Sequence, residues 1–384
     1  MFKPSDFIPF NKPFTIGREL EFIVRAVESG HISSNGFFTE QCERFLEKRY
    51  RIKKSFLSTS CTAALEMSAL LLNIQAGDEV ILPSFSFVST ANPFVLRGAK
   101  IVFADSCANH PNIDADTIEP LITSRTKAIV CVHYAGMACD MEKLLALCTK
   151  HNLALVEDAA HAIESKWKNE RQLGTIGQLG AFSFHETKNI IAGEGGLLCV
   201  NDEKLVHRAE IISEKGTNRT SFFRGEIKKY EWVDVGSSFM ASELTAAFLF
   251  AQLELADKIQ ASRLASWNQY HTELESVEKE GHVERPEIPP YAMTNGHIYY
   301  LVCNSQSERE KLIQTLKANS IQAVFHYQSL HNSPYYAPIE SPTHLPHADK
   351  FSTCLVRLPL FYGLQSQQIS RICEVIRRHF GLTS

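Results

Sequence analysis

Residues 128–158 read AIVCVHYAGMACDMEKLLALCTKHNLALVED, and this stretch decides the fold. Ala128 to His133 is a short apolar, partly β-branched run, and Leu153 to Asp158 is a second. Met141 to His151, between them, is rich in good helix formers. Strand, helix, strand is a crossover unit, which joins parallel strands. The second strand ends in two carboxylates, Glu157 and Asp158. Alternation along a strand sends them to opposite faces.

The same pattern extends on both sides. Asp78 to Pro83 and Lys100 to Asp105 read as further buried strands, and Thr62 to Asn73 reads as a helix. Apolar strands spaced by helices predict an α/β fold with a mostly parallel sheet covered on both faces. Ligands in such folds gather beyond the carboxyl ends of the strands. The loops there contain Phe85-Ser86-Phe87, His133-Tyr134 and Asp158-Ala159-Ala160-His161. After Leu244 a helical pattern runs to about Glu280, and Pro286, Pro289 and Pro290 break it. A strand over Ile298 to Cys303 and helices over Glu308 to Asn319 and Gln367 to Phe380 complete a smaller α+β unit. The expected division is a large domain over residues 1–255 and a small C-terminal domain over 256–384.

Composition narrows the function. The chain of 384 residues is 44% hydrophobic and 21% charged, as in ordinary globular proteins. A formal net charge of −4 gives no electrostatic case for nucleic acid. The ten cysteines form no C-x-x-C pair, and several sit in apolar runs, so they read as buried hydrophobes in a reducing compartment. No metal site is expected. Met1 to Asp6 lacks the apolar core of a signal peptide, and no apolar run reaches the ~20 residues of a membrane helix. A cytoplasmic protein is expected.

The chemistry concentrates in Gly180-Ala-Phe-Ser-Phe-His-Glu-Thr-Lys188-Asn189, followed by Gly193-Glu194-Gly195-Gly196. Most lysines are solvated surface charges. Lys188 instead lies between apolar runs and beside glycines that allow close backbone approach, a setting for a desolvated amine able to form a Schiff base. If the aldehyde is pyridoxal phosphate, three supports are needed. Asp158, at a strand end, suits the ring nitrogen; its plainer reading is a turn or N-cap residue. His161 can donate to the ring's phenolic oxygen or serve as a satisfied core histidine. Ser58 to Ala64 opens a helix, where Thr62 and Ala63 can meet a phosphate, or where Ser60 or Thr62 simply caps. Ser183 offers another hydroxyl, and Phe87 a ring to stack, unless it belongs to the core.

Glu157-Asp158-Ala159-Ala160-His161, Phe182-Ser183-Phe184-His185 leading to Lys188-Asn189, and Gly193-Glu194-Gly195-Gly196 resemble the DegT/StrS family of sugar-nucleotide aminotransferases. The resemblance runs from about Ile8 to the C-terminal helix. It implies a fold-type I, aspartate aminotransferase-like architecture and pyridoxal 5′-phosphate as cofactor. Lys188 would carry the cofactor, Asp158 pair with its ring nitrogen and His161 approach its oxygen, while Phe87 stacks and Thr62, Ala63 and Ser183 contact the phosphate. His185, Arg219, His326 and His331 are the implied substrate residues. A homodimer with shared active sites is also implied. Many members carry an asparagine in the stretch matching Gly236 to Met240, reaching the neighbouring subunit's phosphate; here serines and a methionine stand there.

Ile8-Pro-Phe-Asn11, His185 to Asn189, Glu214 to Arg219 and Phe222 to Gly225 are similar to the members that aminate C4 of a dTDP-linked sugar. The expected reaction moves an amino group from L-glutamate to dTDP-4-keto-6-deoxy-D-glucose, giving dTDP-4-amino-4,6-dideoxy-D-galactose. The alternatives are the gluco epimer or another nucleotide keto sugar, a sugar dehydratase, and a non-catalytic sensor. Dehydratases of the family carry histidine where Lys188 stands. A nicotinamide enzyme is disfavoured, because no G-x-G-x-x-G follows an early strand.

Overall fold

The computed structural model describes residues 7–168, 170–339 and 344–382. The N-terminal reading over Met1 to Asp6 lies outside these residues.

A seven-stranded sheet forms the centre, in the order Lys54–Ser58, Gly196–Val200, Leu179–Ser183, Ala154–Asp158, Thr126–Val132, Glu79–Pro83, Lys100–Ala104. Of these, Gly196–Val200 alone runs against its neighbours; the five strands from Leu179–Ser183 onward pair in parallel. This is the expected α/β, fold-type I architecture. Strand alternation builds both cores. Ile81, Ile129, Cys131 and Leu155 face one, with Met141 and Leu144 from the Met141–His151 helix. Val80, Leu82, Val130 and Val156 face the other, with Leu65, Met67 and Leu70 from the Cys61–Leu71 helix.

The pattern after Leu244 is not one helix. Glu243–Glu254, Ala256–Glu273 and Glu275–Lys279 are separate, broken at Leu255 and Leu274. The first packs on two N-terminal helices, Glu19–Glu28 and Phe37–Tyr50, and the second on the C-terminal helix Ser366–His379. Serving two cores, the chain must turn between them. Beyond the break, an antiparallel sheet orders Val283–Glu284, Tyr300–Cys303, Leu355–Arg357 and Val324–Phe325. Its core contains Trp267, Tyr270, Leu312 and Ile372. All ten cysteines are free, and eight are buried.

Candidate active site

A cavity of about 450 Å³ opens beyond the carboxyl ends of the parallel strands. The central sheet supplies Asp158 and Ser183, the loops beyond it Phe87, His161, His185 and Lys188, and the helix opening at Cys61 supplies Thr62. His297, His326, Tyr327 and Arg357 close it from the C-terminal part of the chain.

The strand end divides its two carboxylates. Glu157 points away from the cavity and accepts the backbone N–H groups of Gly174, Ile176 and Gly177 at 2.6–2.7 Å, while His133 Nε2 lies 2.9 Å away. Asp158 faces the cavity. Its Oδ2 accepts the Thr90 hydroxyl at 2.7 Å and its Oδ1 the Ala160 N–H at 3.1 Å. It therefore serves the local turn and still presents a carboxylate to the cavity. Burial raises its pKa, opposed by those two hydrogen bonds and by Lys188. Burial also lowers Lys188, to about 8, which leaves a useful share of free amine near neutral pH.

Lys188 owes its position to a tight turn. Its N–H bonds the His185 carbonyl, and Phe184 and Ala192 pair on either side of the loop. Across the neighbouring strand, Gly196 lets the Ser58–Cys61 segment come close. A Cβ there would lie 2.2 Å from the Ser60 carbonyl carbon and 2.4 Å from Cys61 N. Ser60 caps the helix, accepting Ala63 N–H at 3.0 Å, so that N–H is already spent. The capping reading thus holds for Ser60, while Thr62 turns its hydroxyl to Ser89 at 2.9 Å on the cavity wall. The hydroxyls of Ser60, Thr62, Ser89 and Ser183 line one end of the cavity beside this helix N-terminus, a donor set suited to a phosphate.

His161 is buried and neutral, its pKa lowered by burial and by Lys188 and Arg357. Its Nδ1 accepts the Ala135 N–H at 3.4 Å, which leaves hydrogen on Nε2, 3.4 Å from the Tyr327 hydroxyl. Ala135 aims that N–H from a left-handed conformation (φ 57°), which costs about 1 kcal/mol for a residue with a Cβ. Phe87 is half exposed at the rim, its ring 6.0 Å from Tyr327.

Not every expected residue reaches the cavity. Ala63 is buried beside Thr62 and does not line the cavity. His331 is buried outside the lining, with Nδ1 2.6 Å from Ser84 Oγ and Nε2 3.6 Å from Asp349. Arg219 is exposed and packs over its own Phe223 at 5.1 Å. Ser89, Thr90, His297 and Arg357 line the cavity but carry no motif; only chain folding assembles them. Cys131, His133 and Cys139 also meet, buried behind the sheet. Both His133 nitrogens are already engaged there, Nε2 with Glu157 and Nδ1 with Cys139 N–H at 3.2 Å.

The model of the DegT/DnrJ/EryC1/StrS aminotransferase family matches residues 15–377. The chain belongs to this family. Its members are sugar aminotransferases that use pyridoxal 5′-phosphate. The spore coat polysaccharide biosynthesis protein SpsC of Bacillus subtilis is 31% identical over 98% of this chain and 97% of its own. Among solved structures, the aminotransferase TlmJ from Streptoalloteichus hindustanus is similar, with TM-score 0.89 and 26% identity over 98% of this chain and 99% of its own. DesV of S. venezuelae has TM-score 0.89 and 27% identity over 98% and 100%. The chain is accordingly a sugar aminotransferase. No helix of the described residues is long and apolar enough to cross a membrane.

Proposed function

We propose that this aminotransferase moves the amino group of L-glutamate to C4 of dTDP-4-keto-6-deoxy-D-glucose, giving dTDP-4-amino-4,6-dideoxy-D-galactose for a cell-surface polysaccharide. The observation that carries the transaminase chemistry is a half-buried Lys188, its pKa lowered, in one cavity with the buried Asp158. The sugar assignment rests on the segments around Ile8, His185, Glu214 and Phe222.

The residues present fit the cofactor. Among the described residues, Asp158 is a carboxylate without a cation bonded to it, Lys188 is an amine without a carboxylate bonded to it, and four hydroxyls line the phosphate end. When bound, pyridoxal phosphate supplies an aldehyde and a ring that spreads the charge left by a departing proton. Asp158 keeps a proton on the ring nitrogen. His161 donates its Nε2–H toward the phenolic oxygen, and Phe87 covers the ring. Ser60, Thr62, Ser89 and Ser183 take the phosphate. The Lys188 amine removes the donor's α-proton and later returns one to C4 of the sugar. The face from which Lys188 delivers that proton sets the galacto or gluco outcome. His185 and His326 would touch substrate from opposite walls.

The division at residue 255 would place this cavity between a large and a small domain. A cytoplasmic homodimer is part of the same reading; Phe223, Tyr230, Trp232 and Val233 are exposed apolar side chains that a second copy could cover. Lysine at 188 opposes the dehydratase reading, and a sensor has no need of a proton-moving amine. Incubation with glutamate and dTDP-4-keto-6-deoxyglucose tests the proposal. An axial amine at C4, read from proton couplings, is the expected product; an equatorial amine would replace the galacto assignment with gluco, and no transfer would reject the substrate.

A further inference from the structure

His297 stands just ahead of the Tyr300–Cys303 strand and lines the cavity that also holds Lys188. Two asparagine amides hold its ring. Asn189, the residue after Lys188, donates from Nδ2 to the Asn295 carbonyl at 3.1 Å. That carbonyl can only accept, so the Asn189 amide oxygen turns the other way, 2.7 Å from His297 Nδ1. An amide oxygen also only accepts, and His297 Nδ1 therefore carries the hydrogen. Asn295 closes the frame. Its Oδ1 accepts the His297 N–H at 2.9 Å, and its Nδ2 donates to the carbonyls of His161 and Ile163, both at 2.7 Å. Asn189, Asn295 and His297 are all buried.

One lone pair is left over. With hydrogen on Nδ1, His297 Nε2 is an acceptor; it has no hydrogen-bond partner among the described residues and is not sealed off from the cavity. Burial, then the neighbouring His161, Lys188, Arg263 and Arg357, hold the ring's pKa well below the ordinary histidine range, so it stays neutral near pH 7. His161 lies beside it in the opposite tautomer, the ring centroids 4.5 Å apart. Two neutral imidazoles, side by side, thus offer the cavity one donor and one acceptor.

The cofactor can use only the donor. Its phenolic oxygen and phosphate oxygens accept, and its one donor, the ring nitrogen, belongs to Asp158. The acceptor is left for a substrate. A carboxylate would meet it lone pair to lone pair, which excludes the acid groups of the amino donor, and the donor's nitrogen is the atom transferred. In the sugar, C4 must come to the Lys188 amine, and His297 is near enough to feel that charge. Of the two carbons beside C4, C5 bears a methyl group and the ring oxygen, while C3 bears a hydroxyl. Only the hydroxyl can donate.

We infer, on the proposed sugar-amination reading, that His297 is a specificity residue of the sugar half-reaction, its Nε2 accepting a hydrogen bond from the C3 hydroxyl. Asn189 keeps that acceptor on the cavity side of the ring. A sugar without the hydroxyl leaves the lone pair unpaired in a buried place, and transfer slows.

Single-turnover absorbance isolates this half of the reaction. Protein loaded with pyridoxamine phosphate is mixed with dTDP-4-keto-6-deoxyglucose or with its 3-deoxy counterpart, and the return of the aldehyde band is followed. The wild type should prefer the 3-hydroxy sugar by about tenfold or more in apparent second-order rate constant. His297→Phe should bring the two sugars within about twofold of each other, by slowing the 3-hydroxy one. Asn189→Leu, which keeps the ring but frees its hydrogen to move to Nε2, should lose part of the preference. Thermal melting and cofactor absorbance establish that each variant is folded and loaded. A loaded His297→Phe protein that keeps the full preference overturns the inference and leaves the transaminase reading standing. So does a wild type that uses both sugars equally well, a result that needs no variant to fold. Loaded wild type that aminates neither sugar overturns the dTDP-sugar reading, and the inference with it.

Discussion

Two neighbouring carboxylates, one peptide bond apart, sit on opposite faces of the same strand end and have opposite fates. Behind the sheet, Glu157 is fully enclosed and receives three backbone N–H groups, with His133 beside it. In front, Asp158 receives one hydroxyl and one N–H, and looks across the cavity toward an amine. A buried charge with every lone pair taken is architecture; a buried charge with capacity to spare is a site. The same test separates Arg263 from Arg357. Arg263, wholly buried, donates to the carbonyls of Gly296, His297 and Leu360, whereas the Arg357 guanidinium makes one hydrogen bond among the described residues, to His326.

The comparison can be broken by substitution. Lys188→Ala should fold and lose steady-state transamination by about 10⁴-fold or more, the scale of removing a reacting side chain. Asp158→Asn should keep the fold and lower turnover by about 10²–10³-fold, since an amide cannot hold the ring nitrogen cationic. Glu157→Gln should do the reverse. It leaves chemistry in the folded fraction little changed and costs about 3 kcal/mol of stability, seen as a lower melting temperature. If Glu157→Gln and Asp158→Asn produced the same pattern, the division between the two faces would be wrong.

A smaller effect sharpens the front face. Free amine is the form that attaches an aldehyde, and burial brings Lys188 down to about 8. The rate of cofactor attachment to apoprotein should rise about tenfold per pH unit below 8 and level off above it. An ordinary lysine would keep rising toward about 10.4. Stopped-flow absorbance across this range distinguishes the two.

The sequence made the scaffold legible because buried parallel strands have an unmistakable composition. The helix over Met141 to His151 appears with the bounds its residues suggest. Lys188, Asp158 and His161 were legible because they sit in short runs where polar residues follow apolar strands. The break at Leu255 was not, because helix-forming residues continue through it and only the change of packing partner ends the helix. Arg357 was invisible for a related reason. Arg357 is a single charge in the otherwise apolar run Leu355 to Leu358, and its lack of a counter-ion among the described residues is a property of space rather than of order along the chain. Arg219 and His331 show the converse: their residue types suited a sugar nucleotide, yet within this chain one packs on Phe223 and the other on Ser84.

Reduction of the holoenzyme with borohydride, followed by peptide mass mapping, reads the central claim at a single atom. A pyridoxyl group fixed on Lys188, and missing from the Lys188→Ala protein, is the predicted result. Fixation on another lysine, or efficient amine transfer by wild-type protein that acquires no such mass, would contradict the account.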